Sequence, residues 1–379
     1  MTASVEVADQ RETMRAGLED WLRVRLPDAS GVSLSPLRLP SGTGNSAETT
    51  FAELRYADGG GPQHRDLVIR RQLSGTDLFL DSDIELPHNF MTALEHYPDL
   101  PSPVSLGVET DPDVIGNPFL VMESVSGRIV NQVPNYNVEG WLADLPVEQR
   151  ADAWHTAIGA MAKLHNIDWQ EHFGFLADPA RGKPGLDQFL GYSADWYRWA
   201  QAGRELSVAD AALEWLYANK PGDAETCVCW GDPSPANTLF APDNSVAAIL
   251  DFEMANLGPG ETDLTWWLET IEHYSTYSGV AKLEGLPQRE ETIAIYEEFR
   301  GRKVANLDYY TLLTWFRQNT VGIRFSDRLV ANGIMPDGTD ILTHNVATNL
   351  MAGFLGMPEC PPGEGFMMMG RGVAGAQAD

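Results

Sequence analysis

The chain has 379 residues and carries 26 Lys+Arg against 54 Asp+Glu, a net charge of −28. At roughly 150 residues per domain this length suggests two or three units. The 43% hydrophobic and 21% charged residues exclude a disordered, low-complexity chain. The acidic balance argues against a protein that mainly binds nucleic acid or an anionic membrane, since both need clustered Lys and Arg.

The N-terminal third predicts a small β-rich lobe. Helical spacing over residues 8–26 gives way to strand-like runs broken by glycine between Val32 and Arg71, with a tight turn at 58–61. A short helix is expected over 83–96, and two further strands lead up to Gly127.

Beyond Gly127 the pattern becomes helical. One amphipathic stripe recurs at i, i+4, i+7 and i+11, on Trp154, Ile158, Met161 and His165. Further helices are expected over 205–219 and 262–275, with short β runs between them. We interpret His165 as a core histidine that supports a neighbouring loop.

The start of the chain and its cysteines give no sign of export. The first 21 residues hold scattered acids and no apolar core, and three cysteines, an odd number, imply no disulfide framework. No window approaches the ~18 uninterrupted apolar residues of a membrane helix. We therefore expect a cytoplasmic protein without a membrane-spanning segment.

Residues able to carry chemistry concentrate between Cys227 and Asp263. Asp232 and Asn237 are five apart on a proline-rich loop, and Asp251 directly follows the apolar run VAAIL. The spacing matches the phosphotransfer template of protein kinases, in which the first Asp accepts a hydroxyl proton while Asn and the second Asp hold magnesium. Amide and carboxylate oxygens are the ligands that Mg²⁺ prefers.

These motifs resemble the aminoglycoside phosphotransferase and choline kinase-like family, from about Leu37 to Asp340. WGDPSPAN, residues 230–237, is similar to its catalytic loop, and LDFE, residues 250–253, to its metal-binding motif. The chain resembles especially the actinobacterial-type branch whose kinase domain also occurs fused to acyl-CoA dehydrogenases.

The resemblance implies an α+β, bilobal protein-kinase-like fold with two domains. Residues 1–125 would form an N-terminal nucleotide-binding lobe with an antiparallel sheet and a hinge near 122–127. Residues 126–379 would form a larger, mainly helical lobe with the catalytic loop, the metal motif and the acceptor site.

A glycine-containing loop between two strands is the candidate phosphate cradle, because glycine lets backbone approach phosphates closely. Its residues are Gly42, Thr43, Gly44, Asn45 and Ser46. One strand later, LVIR resembles the kinase strand V-A-I-K, with Arg70 in place of lysine as the ligand of the α/β-phosphates. Alternation along the strand directs Arg71 to the opposite face. An ordinary hairpin turn and a solvent-facing Arg70 are the structural alternatives.

Residues 117–125 resemble the strand that leads into the kinase hinge. Backbone groups of Glu123 to Val125 would bind adenine, and Met122 would lie against its ring, although a methionine at a strand end is also common core filler.

Several other residues allow a functional and a structural interpretation. We interpret Asp263 as a brace for backbone near the metal motif. Trp266 is interpreted as core, with a place in an acceptor pocket as the alternative. Arg317 and Arg324, seven apart on a predicted helix, are interpreted as solvated surface or, alternatively, as ligands of an anionic acceptor.

The sequence thus predicts transfer of the γ-phosphoryl group of ATP, or of GTP, to a small-molecule hydroxyl with Mg²⁺. The acceptor would be aminoglycoside-like, a hydroxyacyl thioester or another small alcohol, and the protein a monomer or homodimer. Trp230 stands where the family usually has histidine, and Pro87 where an acidic or amide residue would hold Arg70. These departures favour the alternative, a catalytically silent kinase-fold protein that binds nucleotide or a partner.

Overall fold

The computed structural model describes residues 2–39, 47–72, 78–81 and 83–366. Its strands are β1 (Ser30–Leu34), β2 (Ala47–Asp58), β3 (Gly61–Gln72), β4 (Ser105–Glu109), β5 (Phe119–Glu123), β6 (Arg128–Ile129), β7 (Cys227–Cys229), β8 (Thr238–Phe240), β9 (Val246–Ile249) and β10 (Asn256–Gly258). Its α-helices are α1 (Thr2–Arg25), α2 (Glu85–Leu94), α3 (Trp141–Asp144), α4 (Val147–His165), α5 (Trp169–His172), α6 (Leu186–Gln201), α7 (Ser207–Ala218), α8 (Gly260–Tyr274), α9 (Arg289–Arg300), α10 (Leu307–Ala331) and α11 (Val346–Leu355). Within the described ranges, no helix has the length and apolar character needed to cross a bilayer.

The chain divides into two compact units. The described residues of the first fall within 1–77, 83–96 and 102–125, and those of the second within 78–82, 97–101 and 126–379. Two short segments that precede residue 125 thus belong to the second unit. The predicted domains, which meet at one boundary after residue 125, assign both segments to the first.

The first unit is built on a five-stranded antiparallel sheet in the order β1-β2-β3-β5-β4. β2 and β3 pair along their whole length, from Ala47 opposite Gln72 to Asp58 opposite Gly61. The predicted tight turn is therefore confirmed. α1 packs its apolar side against this sheet, with Leu18 fully buried.

The pairing register assigns alternate residues of β3 to opposite faces of the sheet. Ile69 is buried in the core shared with α1, whereas Val68 and Arg70 are half-buried. On β5, Met122 lies opposite Val68. Because directly opposed residues share a face, Arg70 and Met122 lie together on the face away from α1.

The second unit is mainly helical around two small antiparallel sheets, β6-β8-β9 and β7-β10. The predicted stripe on α4 is confirmed as buried, at Trp154, Ile158, Met161 and His165. The connections from β7 to β8 and from β9 to β10 carry residues 230–237 and 250–255. Pairing of β7 with β10 and of β8 with β9 brings these two connections side by side.

Candidate active site

The structure brings Asp232, Asn237 and Asp251 together, as the spacing predicts. The Asn237 side-chain Nδ2 donates to Asp232 Oδ2 at 2.9 Å and to the Asp232 carbonyl at 3.0 Å. The Leu250 amide donates to the Asn237 carbonyl at 2.9 Å, which places Asp251, the next residue, beside the same loop. The hydrogen bonds of Asn237 with Asp232 and with Leu250 therefore bring the three polar side chains together.

The orientation of the Asn237 amide follows from its neighbour. A carboxylate only accepts hydrogen bonds, so Asp232 must face the NH₂ group of Asn237 and not its oxygen. This leaves Asn237 Oδ1, the only side-chain atom of asparagine suited to a hard cation, directed away from Asp232.

Asp251 adopts an unusual backbone conformation. Its φ of +66° lies in the left-handed region, which is uncommon for residues other than glycine and is more accessible to Asp and Asn. Such conformations are concentrated at functional sites, where the surrounding structure holds them in place.

Asp232 is the most strongly perturbed acid of this region. Burial, followed by the nearby Asp251 carboxylate, raises the pKa of Asp232 to about 7, while hydrogen bonds from Trp266 and Asn237 act in the opposite direction. A carboxyl group with a pKa near neutrality is suited to accept a proton and release it again.

Trp266, on α8, holds the other carboxylate oxygen: its indole Nε1 donates to Asp232 Oδ1 at 2.6 Å. Trp266 is buried, as the core interpretation predicts, but the sequence analysis does not link it to Asp232. The available signal was the spacing of Trp266 and Asp263. The two residues are three apart on α8, and residues three apart share a helix face.

Asp263 braces the start of the catalytic loop. Its carboxylate accepts from the amides of Trp230 at 2.6 Å and Gly231 at 3.0 Å. His165 Nε2 lies 3.0 Å from the same carboxylate, and His165 Nδ1 lies 2.8 Å from the Tyr296 hydroxyl. The structure thus gives His165 and Asp263 the bracing contacts that the sequence interpretation assigns to them.

Gly231 cannot be replaced without strain. Its φ is +89°, and a Cβ there would lie 2.0 Å from the Met254 carbonyl oxygen. The two strand connections approach each other so closely at this position that only glycine fits.

Trp230 fills the position of the expected histidine. It is fully buried, and its indole Nε1 donates to the Leu250 carbonyl at 2.7 Å. The side chain therefore ties the catalytic loop to the residue that precedes Asp251.

The interpretation of Arg317 as solvated surface is wrong. Only 3% of the residue is exposed, because α10 presents it to the interior against Phe189 and Trp266, with its guanidinium 4.7 Å from each ring centre. Its Nη2 donates to the Gly231 carbonyl at 3.1 Å. Arg324 instead packs over Trp199 and pairs with Asp327 at 3.4 Å.

The proposed adenine-binding backbone is partly committed to the sheet. The amide of Glu123 donates to the Val104 carbonyl at 2.8 Å, and the amide of Ser124 donates to the Asp66 carbonyl at 2.7 Å. The Glu123 side chain pairs with Arg65 at 2.7 Å. The predicted phosphate loop, Gly42, Thr43, Gly44, Asn45 and Ser46, lies outside the described residues.

Comparison with curated proteins supports the predicted branch. Acyl-CoA dehydrogenase family member 11 of Mus musculus is 26% identical over 330 residues, which cover 83% of this chain and 39% of the mouse protein. The chain thus spans well under half of that relative. The predicted resemblance to the kinase region of such fused proteins is confirmed.

Solved structures share the fold. A Ralstonia eutropha protein provisionally classed as an aminoglycoside phosphotransferase is 22% identical, with a TM-score of 0.61 over 94% of this chain and 98% of that one. Aminoglycoside phosphotransferase APH(4)-Ia, in a ternary complex with ADP and hygromycin B, is 15% identical, with a TM-score of 0.52 over 89% of this chain and 98% of that one. The predicted α+β kinase-like fold is confirmed. Residues 53–299, well over half of the chain, match the phosphotransferase enzyme family (APH), and the protein belongs to that family.

Proposed function

We propose that this protein transfers the γ-phosphoryl group of ATP to the hydroxyl of a small molecule, with Asp232 as the base. The observation that carries the proposal is the fixed carboxylate of Asp232. Trp266 Nε1 holds one oxygen at 2.6 Å and Asn237 Nδ2 the other at 2.9 Å. Trp266 lies on α8 and Asn237 directly precedes β8, so the two bonds orient the carboxylate before a substrate arrives.

In this reaction Asp232 accepts the proton of the acceptor hydroxyl. The hydroxyl oxygen forms the new bond to the γ-phosphorus, the bond from that phosphorus to the β,γ-bridging oxygen breaks, and ADP leaves. The proton then passes from Asp232 to solvent. Positioning supplies most of the rate in such transfers, because there is little covalent chemistry for the protein to perform.

Asn237 and Asp251 fit the role of magnesium ligands. Asn237 Oδ1 is turned away from Asp232, and Asp251 contributes a carboxylate close enough to raise the pKa of Asp232. When bound there, Mg²⁺ would neutralise the negative charge of the phosphates.

Arg70, Met122 and the backbone at Val125 are the proposed nucleotide contacts of the first unit, together with Glu123 and the loop 42–46. Support comes from the sheet register, which places Arg70 and Met122 on one half-buried face. The solved complex of APH(4)-Ia with ADP adds to this support. GTP is the alternative nucleotide.

The acceptor is an aminoglycoside-like compound, a hydroxyacyl thioester or another small alcohol. The mouse relative carries an acyl-CoA dehydrogenase name, which supports testing hydroxyacyl thioesters first. Trp230 in place of the family's histidine favours the catalytically silent alternative. Its indole nevertheless supports the loop, because Nε1 donates to the Leu250 carbonyl.

The test is a thermal-shift titration of the purified protein with ATP and with GTP, each with and without Mg²⁺. A ligand that binds only the native state raises its apparent stability by mass action. The variants are Asp251→Ala and, as the matched control, Asp243→Ala, whose exposed side chain accepts hydrogen bonds from Ser245 in the turn between β8 and β9.

A magnesium-dependent shift that disappears in Asp251→Ala and persists in Asp243→Ala would support the proposal. Acceptors of the three classes would then be compared by ADP release. No shift with either nucleotide, in protein shown to be folded, would instead favour the catalytically silent alternative.

A further inference from the structure

The guanidinium of Arg317 lies directly behind the catalytic loop and is poorly compensated. Of its three nitrogens, Nη2 donates to the Gly231 carbonyl, while Nε and Nη1 are sealed from solvent and find no hydrogen-bond partner among the described residues. Burial lowers the pKa of Arg317, while the charges of the nearby Asp263 and Asp232 carboxylates act in the opposite direction.

Packing alone does not account for an arginine at this position. Burying a charge without a full set of partners is unfavourable, and an apolar residue of similar volume is often neutral or stabilising in its place. The side chain lies between the rings of Phe189 and Trp266, a space that methionine would also fill. What methionine cannot supply is the donor to Gly231.

The Arg317 guanidinium donates to Gly231, a residue whose backbone is also held by Asp263. The Gly231 amide donates to Asp263, and the Gly231 carbonyl accepts from Arg317, so the backbone immediately before Asp232 is fixed at both its N–H and its C=O. Arg317 also packs on Trp266, whose indole binds the Asp232 carboxylate. Arg317 therefore contacts two of the groups that hold this carboxylate, the backbone before Asp232 and the Trp266 indole, while Asn237 is a third.

We infer that Arg317 is a positioning residue of the phosphotransfer site, which sets the place of the Asp232 carboxylate through the Gly231 carbonyl and the Trp266 indole. This inference rests on the proposed function. A direct role in binding an anionic acceptor does not fit, because Nε and Nη1 are closed to solvent.

The experiment compares Arg317→Met, which keeps the volume and removes the donor, with Arg317→Lys, which keeps a charge and one donor. Arg328→Met is the matched control, since it removes another partly buried arginine of α10 whose guanidinium also stacks on an aromatic ring, that of Phe325. The readouts are kcat and KM for ATP, the melting temperature, and hydrogen exchange of the amides of residues 230–237.

We expect Arg317→Met to melt at or above the wild-type temperature while kcat falls about 10- to 100-fold, the loss typical of a small misplacement of reacting groups. KM for ATP should stay within about twofold of the wild-type value, since the substitution removes no contact that binds ATP. Amides 230–237 should exchange faster while α10 stays protected. Arg317→Lys should recover part of kcat, and Arg328→Met should behave as wild type.

A wild-type kcat in Arg317→Met, or a loss matched by Arg328→Met, would overturn the inference. If Arg317→Met does not fold, Arg317→Lys decides. Faster exchange confined to residues 230–237, with a lowered kcat, would support the inference, and unchanged exchange would overturn it. Absence of nucleotide turnover in the wild type would count against the proposed function, and the exchange measurement would still test the role of Arg317.

Discussion

The catalytic loop of the second unit and the proposed nucleotide face of the first unit are held in different ways. Asp232 is fixed by side chains from distant parts of the chain, with contacts that span 34 residues to Trp266. Arg70 and Met122 are placed by the alternation and register of a single antiparallel sheet. The comparison indicates that substitutions at the loop should affect catalysis and stability together, whereas those on the sheet face should change nucleotide affinity alone.

The largest expected effect is that of Asp232→Ala. Loss of the base should lower the rate of phosphoryl transfer about 10²- to 10⁴-fold, the contribution typical of general base catalysis. Binding of ATP, followed by thermal shift, should remain. Asp243→Ala is the control in the same segment. Loss of ATP binding in a folded Asp232→Ala protein would contradict the assignment of Asp232 as the base.

Asp263→Ala should show how much the brace contributes to stability. It leaves the amides of Trp230 and Gly231 unpaired and removes the partner of His165, so unfolding by urea should need about 3–5 kcal/mol less. Glu272→Ala on the same helix, which breaks a partly exposed pair with Lys282, should cost about 1 kcal/mol or less. Equal costs for the two variants would refute the brace.

Arg70→Met tests the sheet face. KM for ATP should rise about tenfold or more, because hydrogen bonds to charged groups contribute about 1.5–3 kcal/mol. Arg71→Met is the natural control, since the neighbouring residue lies on the opposite face. A larger effect of Arg71→Met than of Arg70→Met would show that nucleotide does not bind on the face that carries Arg70.

The smallest effect is expected for Trp266→Phe. The indole hydrogen bond lowers the pKa of Asp232, so its removal should raise that pKa. Since the base must be deprotonated, activity that increases with pH should reach its plateau at a higher pH than in the wild type. Trp267→Phe is the control, because no described residue accepts a hydrogen bond from the Nε1 of that buried indole. An unchanged pH profile in Trp266→Phe would show that the indole does not affect the pKa of Asp232.

Much of the fold was readable from local patterns. Alternation and glycine-rich turns predicted the sheet, and the 3.6-residue period predicted α4, because these features depend on neighbours along the chain. The trio of Asp232, Asn237 and Asp251 was readable from spacing, since a short loop and one strand pair leave little freedom in where these side chains lie.

Arg317 shows where local patterns fail. Charged residues on a helix are mostly exposed, and nothing within a few turns of α10 indicates that this one faces inward. The face of α10 that is buried depends on how the helix packs against α6 and α8, which the period of the helix itself does not specify.

The α+β architecture and the identity of the acidic and amide residues at the proposed site follow from local patterns, because periodicity and loop spacing are local properties. Which side chains hold those residues in place depends on tertiary packing. The contacts of Asp232 with Trp266 and of Gly231 with Asp263 and Arg317 join positions 32 to 86 residues apart. Such contacts arise from the packing of α8 and α10 around the loop, and the free energy of that packing belongs to the whole unit and to no single segment.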